Sequence, residues 1–184
     1  MAEKRFITAD ELQLDSYRLA KQICDSGFQP DFMIALWRGG TPVGCYVQEF
    51  LKQKGLKVDH IATRTSRYTG IEKAEETVRI HGLDYIIKKI NNTDRLLIVD
   101  DVFDSGKTIA ALIEKLKLKA RANTPSEIKV ATVFYKPKNN KTRIKPDFYI
   151  HETDKWLVFP HELEGLTPEE IATGKGKEIA GLLE

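Results

Sequence analysis

At 184 residues the chain is sized for one domain with a core large enough to be stable. Apolar residues at 41% and charged residues at 30% exclude wholesale disorder, and a net charge of +2 without a long like-charge run argues against a dedicated nucleic-acid binder. The opening MAEKRFITADEL lacks an apolar stretch of signal-peptide length, and nothing later reaches membrane-span length, so a cytoplasmic protein without a membrane partner is expected.

The first element is a helix from Thr8 to about Asp25. Thr8 and Glu11 form a capping-box pair, Ile7 and Leu12 are spaced for a hydrophobic staple, and Gly27 stops the helix. DFMIALW (31–37) reads as a buried strand ending at Arg38-Gly39-Gly40. A second helix runs from about Pro42 to Lys54, with Gly55 just beyond. Cys24 and Cys45 fall in these two helices, where buried free thiols are expected rather than a bridge. VDHIATRT (58–65) is the next strand, and SRYTGIEKAEET (66–77) lacks either periodicity and reads as a mobile loop. RIHGL is a short returning strand and LDYIIKKI a short helix. RLLIVDD (95–101) is the strongest strand signal, followed by a helix over 107–119 with Ile109, Leu112, Ile113 and Leu116 on one stripe. EIKVATVFYK, DFYI and WLVF give three further strands, and Thr167-Pro168-Glu169-Glu170 opens an extra C-terminal helix within 164–184.

Strands alternating with helices predict an α/β fold: a mainly parallel twisted sheet flanked by helices, formed by residues 1–184 as a single domain. In such sheets ligands collect beyond the carboxyl ends of strands at a topological switch point. Arg38-Gly39-Gly40, the 64–78 segment and the loop after Asp101 all follow predicted strands and so can share one rim. No Cys/His grouping has zinc spacing.

The chemistry concentrates in LLIVDDVFDSGKT (96–108). Its Gly-Lys-Thr ending suggests a triphosphate loop, but the first glycine of that pattern would fall at Asp101, whose side chain would crowd the turn and repel phosphate. A dinucleotide GxGxxG is also lacking. Asp104-Ser105-Gly106-Lys107-Thr108 joins a strand to a helix start, where free N–H groups and the positive dipole end favour one phosphate. Asp100 and Asp101 are acceptors suited to vicinal hydroxyls or a hydrated magnesium ion. Anion at one end and diol at the other specify a sugar phosphate.

This stretch resembles the phosphoribosyl pyrophosphate (PRPP) signature of the type I phosphoribosyltransferases, and the chain is most similar to the 6-oxopurine branch over about residues 5–163. The resemblance implies that fold, with a small base-binding hood built from terminal segments. It implies ribose and Mg2+ binding by Asp100 and Asp101, directly or through water, and 5′-phosphate binding by 104–108. Asp104 would be the catalytic group that takes or shares the N7 proton. Trp37-Arg38-Gly39-Gly40 is similar to the family's pyrophosphate loop, which often carries a non-proline cis peptide before the basic residue. Ser66-Arg67-Tyr68 resembles the Ser-Tyr element of a flexible lid, with Arg67 inserted between the two.

The same resemblance assigns the base to the C-terminal third. Lys136, after a strand, matches the lysine that bonds the 6-oxo group, and Trp156 matches the aromatic platform under the purine. Glu162 falls near an acidic position beside the base and a second metal. The implied activity is transfer of phosphoribose from PRPP to hypoxanthine, guanine or xanthine in purine salvage, by a homodimer or homotetramer. Two alternatives remain at this level: a PRPP-sensing regulator of the same fold, and a transferase for a non-purine acceptor.

Overall fold

The computed structural model describes residues 4–68 and 77–183, with the side chains of residues 67, 68 and 77 outside that description. Strands β2 (Phe32–Trp37), β3 (Asp59–Tyr68), β4 (Thr77–His81), β5 (Arg95–Phe103), β6 (Glu127–Tyr135) and β7 (Phe148–Glu152) form one six-stranded sheet in the order β4-β3-β2-β5-β6-β7. All neighbours are parallel except β3 and β4. Helices α1 (Ala9–Asp25), α2 (Gly40–Gln53), α3 (Asp84–Ile87) and α4 (Lys107–Ala120) cover its faces.

Side-chain alternation along the strands divides the core in two. Met33, Leu97 and Val99 point into a cluster with Leu19, Ile23, Val43 and Val47 of α1 and α2. Ile34, Leu36, Leu96 and Ile98 point the other way, against Ile86, Ile109, Leu112 and Leu116 of α3 and α4. Ile113, expected on the same stripe, is only partly buried. Both buried faces explain why β5 reads as an unbroken apolar run.

The first helix begins as its sequence requires. Thr8 Oγ1 accepts from the Glu11 N–H at 3.1 Å, while the Glu11 carboxylate turns to Arg5 at 2.5 Å instead of completing the box. Ile7 and Leu12 are both buried. Beyond α2, Gly55 adopts a φ of +83°, a left-handed end that glycine allows at least cost.

Four expectations are corrected. The segment 66–68 is not loop: β3 continues through Tyr68, and Ser66 pairs with Arg79 of β4, since backbone pairing along a sheet edge needs no apolar side chains. The rest of the segment expected to be mobile, 69–76, lies outside the described residues. Neither cysteine is buried: both are free, Cys24 half-buried and Cys45 exposed on the solvent side of α2. The tail 164–184 is not one helix but two, α5 (Pro168–Gly174) and α6 (Lys177–Gly181), broken at Gly176 with its φ of +106°. WLVF does not join the main sheet. Its first three residues, β8 (Trp156–Val158), pair in parallel with β1 (Lys4–Phe6), a strand absent from the sequence expectation.

Candidate active site

In the order β3-β2-β5 the chain turns one way from β2 and the other way into β5, so a crevice opens at their carboxyl ends. Arg38, Gly39 and Gly40 leave β2 there, and Asp100 and Asp101 lie near the end of β5. The peptide between Trp37 and Arg38 is cis. The two loops touch so closely that only glycine fits. A Cβ at Gly39 would stand 2.0 Å from Asp101 Oδ2, and one at Gly40 would stand 2.5 Å from the Val99 carbonyl oxygen.

This packing desolvates the acidic pair. Asp100 Oδ1 accepts from the Asp101 N–H at 3.0 Å, and Asp101 Oδ1 accepts from the Val102 N–H at 2.7 Å. Burial, then the neighbouring Asp101 charge, holds the Asp100 carboxyl well above the ordinary carboxylate range, although the Gly40 N–H donates to it. Burial likewise pushes Asp101 up to about 6, with the Glu162 charge adding to the rise.

Two cavities meet along this crevice. The smaller, about 210 Å³, is lined by Asp100 to Asp104 and by Ser105, Gly106, Thr108 and Ile109. Gly106 caps α4 with a φ of +74°, and a Cβ there would meet Thr142 Oγ1 at 2.6 Å and the Phe103 ring at 2.8 Å. Lys107, the first residue of α4, is exposed and does not line this cavity. The polar segment 137–144 braces the loop from outside: Lys141 N–H donates to Ser105 O at 3.0 Å, and Asn139 Nδ2 donates to Asp104 Oδ1 at 2.6 Å. Asp104 is thus held in orientation by Asn139, a residue that no motif marks.

The larger cavity, about 470 Å³, brings Arg38, Gly39, Asp101 and Asp104 together with Lys136, Trp156 and Glu162. Lys136 follows β6, its N–H bonded to Phe103 O at 2.9 Å. Trp156 is 60% exposed, so its indole is a surface available to a ligand rather than core. Trp37 does not join them; it is 54% exposed and lines neither cavity. Ser66 is half-buried in β3 and lines neither cavity, and the side chains of Arg67 and Tyr68 lie outside the described residues.

His161 was missed. Its ring stacks on Phe159 at 5.6 Å and 11°, with Nε2 3.5 Å from Asp101 Oδ2. Burial lowers its pKa, against the raising effect of Glu162. A lone histidine after proline carries no spacing signal, and only the return of the chain over the crevice reveals it.

The phosphoribosyl transferase domain model matches residues 8–165. The chain belongs to the phosphoribosyl transferase domain family. Hypoxanthine-guanine phosphoribosyltransferase of Streptococcus pyogenes is 30% identical over 116 residues, 63% of this chain and 59% of that protein's length. Xanthine phosphoribosyltransferase 1 of Saccharomyces cerevisiae is 24% identical over 197 residues, covering 89% of this chain and 92% of its own. The crystal structure of a purine phosphoribosyltransferase from Pyrococcus horikoshii aligns with a TM-score of 0.70 at 28% identity, covering 89% of this chain and 97% of that one. The smaller cavity is lined by the acidic pair and the loop that opens α4, and the larger by the exposed Trp156.

Among the described residues no group of three or more His, Cys, Asp and Glu side chains could hold a metal alone. Nor is any described helix long and apolar enough to cross a membrane.

Proposed function

We propose that this chain transfers the 5-phosphoribosyl group from PRPP to N9 of a 6-oxopurine (hypoxanthine, guanine or xanthine), releasing pyrophosphate and forming the nucleoside 5′-monophosphate. The observation that carries the reading is the meeting of Arg38-Gly39, Asp101, Asp104, Lys136 and Trp156 around one cavity. The names of the streptococcal, yeast and archaeal relatives support the purine acceptor.

The residues present fit a magnesium ion. Asp101 is buried and Asp100 beside it half-buried, burial raises both carboxyls above the ordinary range, and a divalent cation relieves that cost. One or two carboxylates, with water and substrate oxygens completing the shell, is the ordinary mode for Mg2+. When bound, it supplies charge neutralisation for the departing pyrophosphate.

The chain's own groups do the rest. Backbone N–H groups at the start of α4, with the Ser105 and Thr108 hydroxyls, anchor the 5′-phosphate. The acidic pair takes the ribose hydroxyls, and together these contacts fix the anomeric carbon between acceptor and leaving group. Arg38 and the N–H groups near Gly39 face the pyrophosphate as it leaves and the ring becomes oxocarbenium-like. Lys136 donates to the 6-oxo group, Trp156 stacks on the base, and Glu162 lies at its edge. Asp104, oriented by Asn139, accepts or shares the N7 proton as N9 attacks. We assign Trp37, Gly40 and Lys107 to backbone roles in the two anion loops, and Ser66, Arg67 and Tyr68 to a lid that excludes water.

The test is pyrophosphate release from PRPP and Mg2+ with a panel of bases. Release with at least one 6-oxopurine and not with uracil or orotate is expected. No release with any purine would overturn the reading.

A further inference from the structure

The matched family segment ends at residue 165, yet the chain beyond it packs against the base end of the larger cavity. More than half of that cavity's lining lies between residues 156 and 166, in β8 and the turn that follows. What holds this turn is the tail. A seven-residue helix such as α5 does not persist alone in water. Here it is fixed by a complete capping box between Thr167 and Glu170, by burial of Ile171, and by a 2.6 Å ion pair from Glu170 to Lys4 of β1. Gly174 sits so close to Phe6 that a Cβ would stand 2.2 Å from its ring.

Those contacts deliver one charged group to one acceptor. The Lys175 ammonium, 5.8 Å from the centre of the Phe6 ring, donates to the Phe159 carbonyl oxygen. That oxygen also accepts from the Glu162 N–H at 3.0 Å, and the Phe159 N–H donates to Glu162 Oε2 at 2.9 Å. The turn closed by these bonds presents His161 and Glu162 to the cavity, whereas Lys175 does not line it. The PRPP loops, by contrast, are hung from β2 and β5 in the main sheet.

We propose that the C-terminal segment is the clasp of the base site and that Lys175 is its positioning residue, setting affinity for the purine through the turn at 159–162 and not affinity for PRPP. The proposal rests on the transferase reading above. A test compares the full chain with Lys175→Met and Lys175→Arg. Losing a charged hydrogen bond predicts a base KM raised about 10-fold in the Met variant, with the PRPP KM within about twofold and the Arg variant within about threefold of the unsubstituted chain. In the ligand-free protein, amide hydrogen exchange at Phe159 and Glu162 should quicken about 10-fold in the Met variant, with β5 unchanged. Parallel rises in both KM values, or unchanged exchange at those two amides, would overturn the proposal. Absence of turnover in the unsubstituted chain would overturn the transferase reading, and the exchange measurement would then alone decide for or against the clasp.

Discussion

Replacing Gly39 by alanine adds one methyl group at the tightest point of the crevice. The backbone there has φ −66° and ψ −35°, which alanine adopts freely, so the substitution acts through space and not through backbone strain. The new Cβ would lie 2.0 Å from Asp101 Oδ2, 2.4 Å from Cγ and 2.7 Å from Oδ1, where ordinary contact begins at 3.4 Å. Something must therefore move by at least 3.4 − 2.0 = 1.4 Å. The carboxylate has little freedom to do so, because Oδ1 is tied to the Val102 N–H at 2.7 Å and the residue is only 7% exposed. Losing a hydrogen bond to a charged group costs about 1.5–3 kcal/mol, and overpacking adds about 1–3.

A combined effect of about 3 kcal/mol corresponds to about 10²-fold in kcat/KM. Steady-state pyrophosphate release reads this loss, with urea unfolding run in parallel. Gly55→Ala is the control: a Cβ there meets nothing within 4 Å, but φ is +83°, so it should cost about 1 kcal/mol of stability and no activity. A Gly39→Ala protein that keeps kcat/KM within threefold would refute the claim that the two loops are locked against each other.

Asp104→Asn should lower turnover by about 10²-fold with PRPP binding largely kept, and near-normal kcat would remove Asp104 from its assigned role. The acidic pair also sets a pH dependence in the metal-free, ligand-free chain. Asp101 titrates at about 6 when folded against 3.8 as its ordinary value, and Asp100 is raised as well. The folded state thus binds more protons than the unfolded state between those values, so this pair makes stability rise as pH falls from 7 towards 4. Urea midpoints at pH 5, 6 and 7, taken as the difference between the unsubstituted chain and Asp101→Asn, should show that trend. His161, whose value burial lowers, pulls the other way in both proteins and so drops out of the difference, and a flat difference would contradict the buried state assigned to Asp101.

The parts of the fold legible in the sequence are those whose signals are local. The Thr8 cap, the apolar run of β5 and the stripe of α4 each state their environment within a few residues. The acidic pair and the loop that opens α4 were legible because they lie within thirteen consecutive positions. What escaped was set by distant partners. β1 is three residues of mixed character, and only Trp156–Val158 makes it a strand. The end of β3 is polar, and its pairing with β4 comes from backbone groups at a sheet edge. Asn139 and His161 have no motif, and each acquires a role only where a loop folds back to a carboxylate, at Asp104 and Asp101.

This division has a functional side. The proposed sugar-phosphate machinery hangs from β2 and β5, central strands whose residues Ile34, Leu97, Ile98 and Val99 are fully buried. Its geometry is therefore coupled to the global stability of the sheet. The proposed base end hangs instead from a two-stranded sheet, which Leu157 and Phe159 tie into the main core, and from a turn and a seven-residue helix held through side chains such as Lys4, Glu170 and Lys175. A two-stranded sheet and a short helix open at low free energy compared with a six-stranded core. On the clasp proposed above, changes in the tail should shift how tightly the purine is held while leaving the binding of the phosphoribosyl group largely unchanged. In this chain Lys4, Glu170 and Lys175, the side chains proposed to set how the base is held, all lie outside the matched family segment, as do β1, α5 and α6.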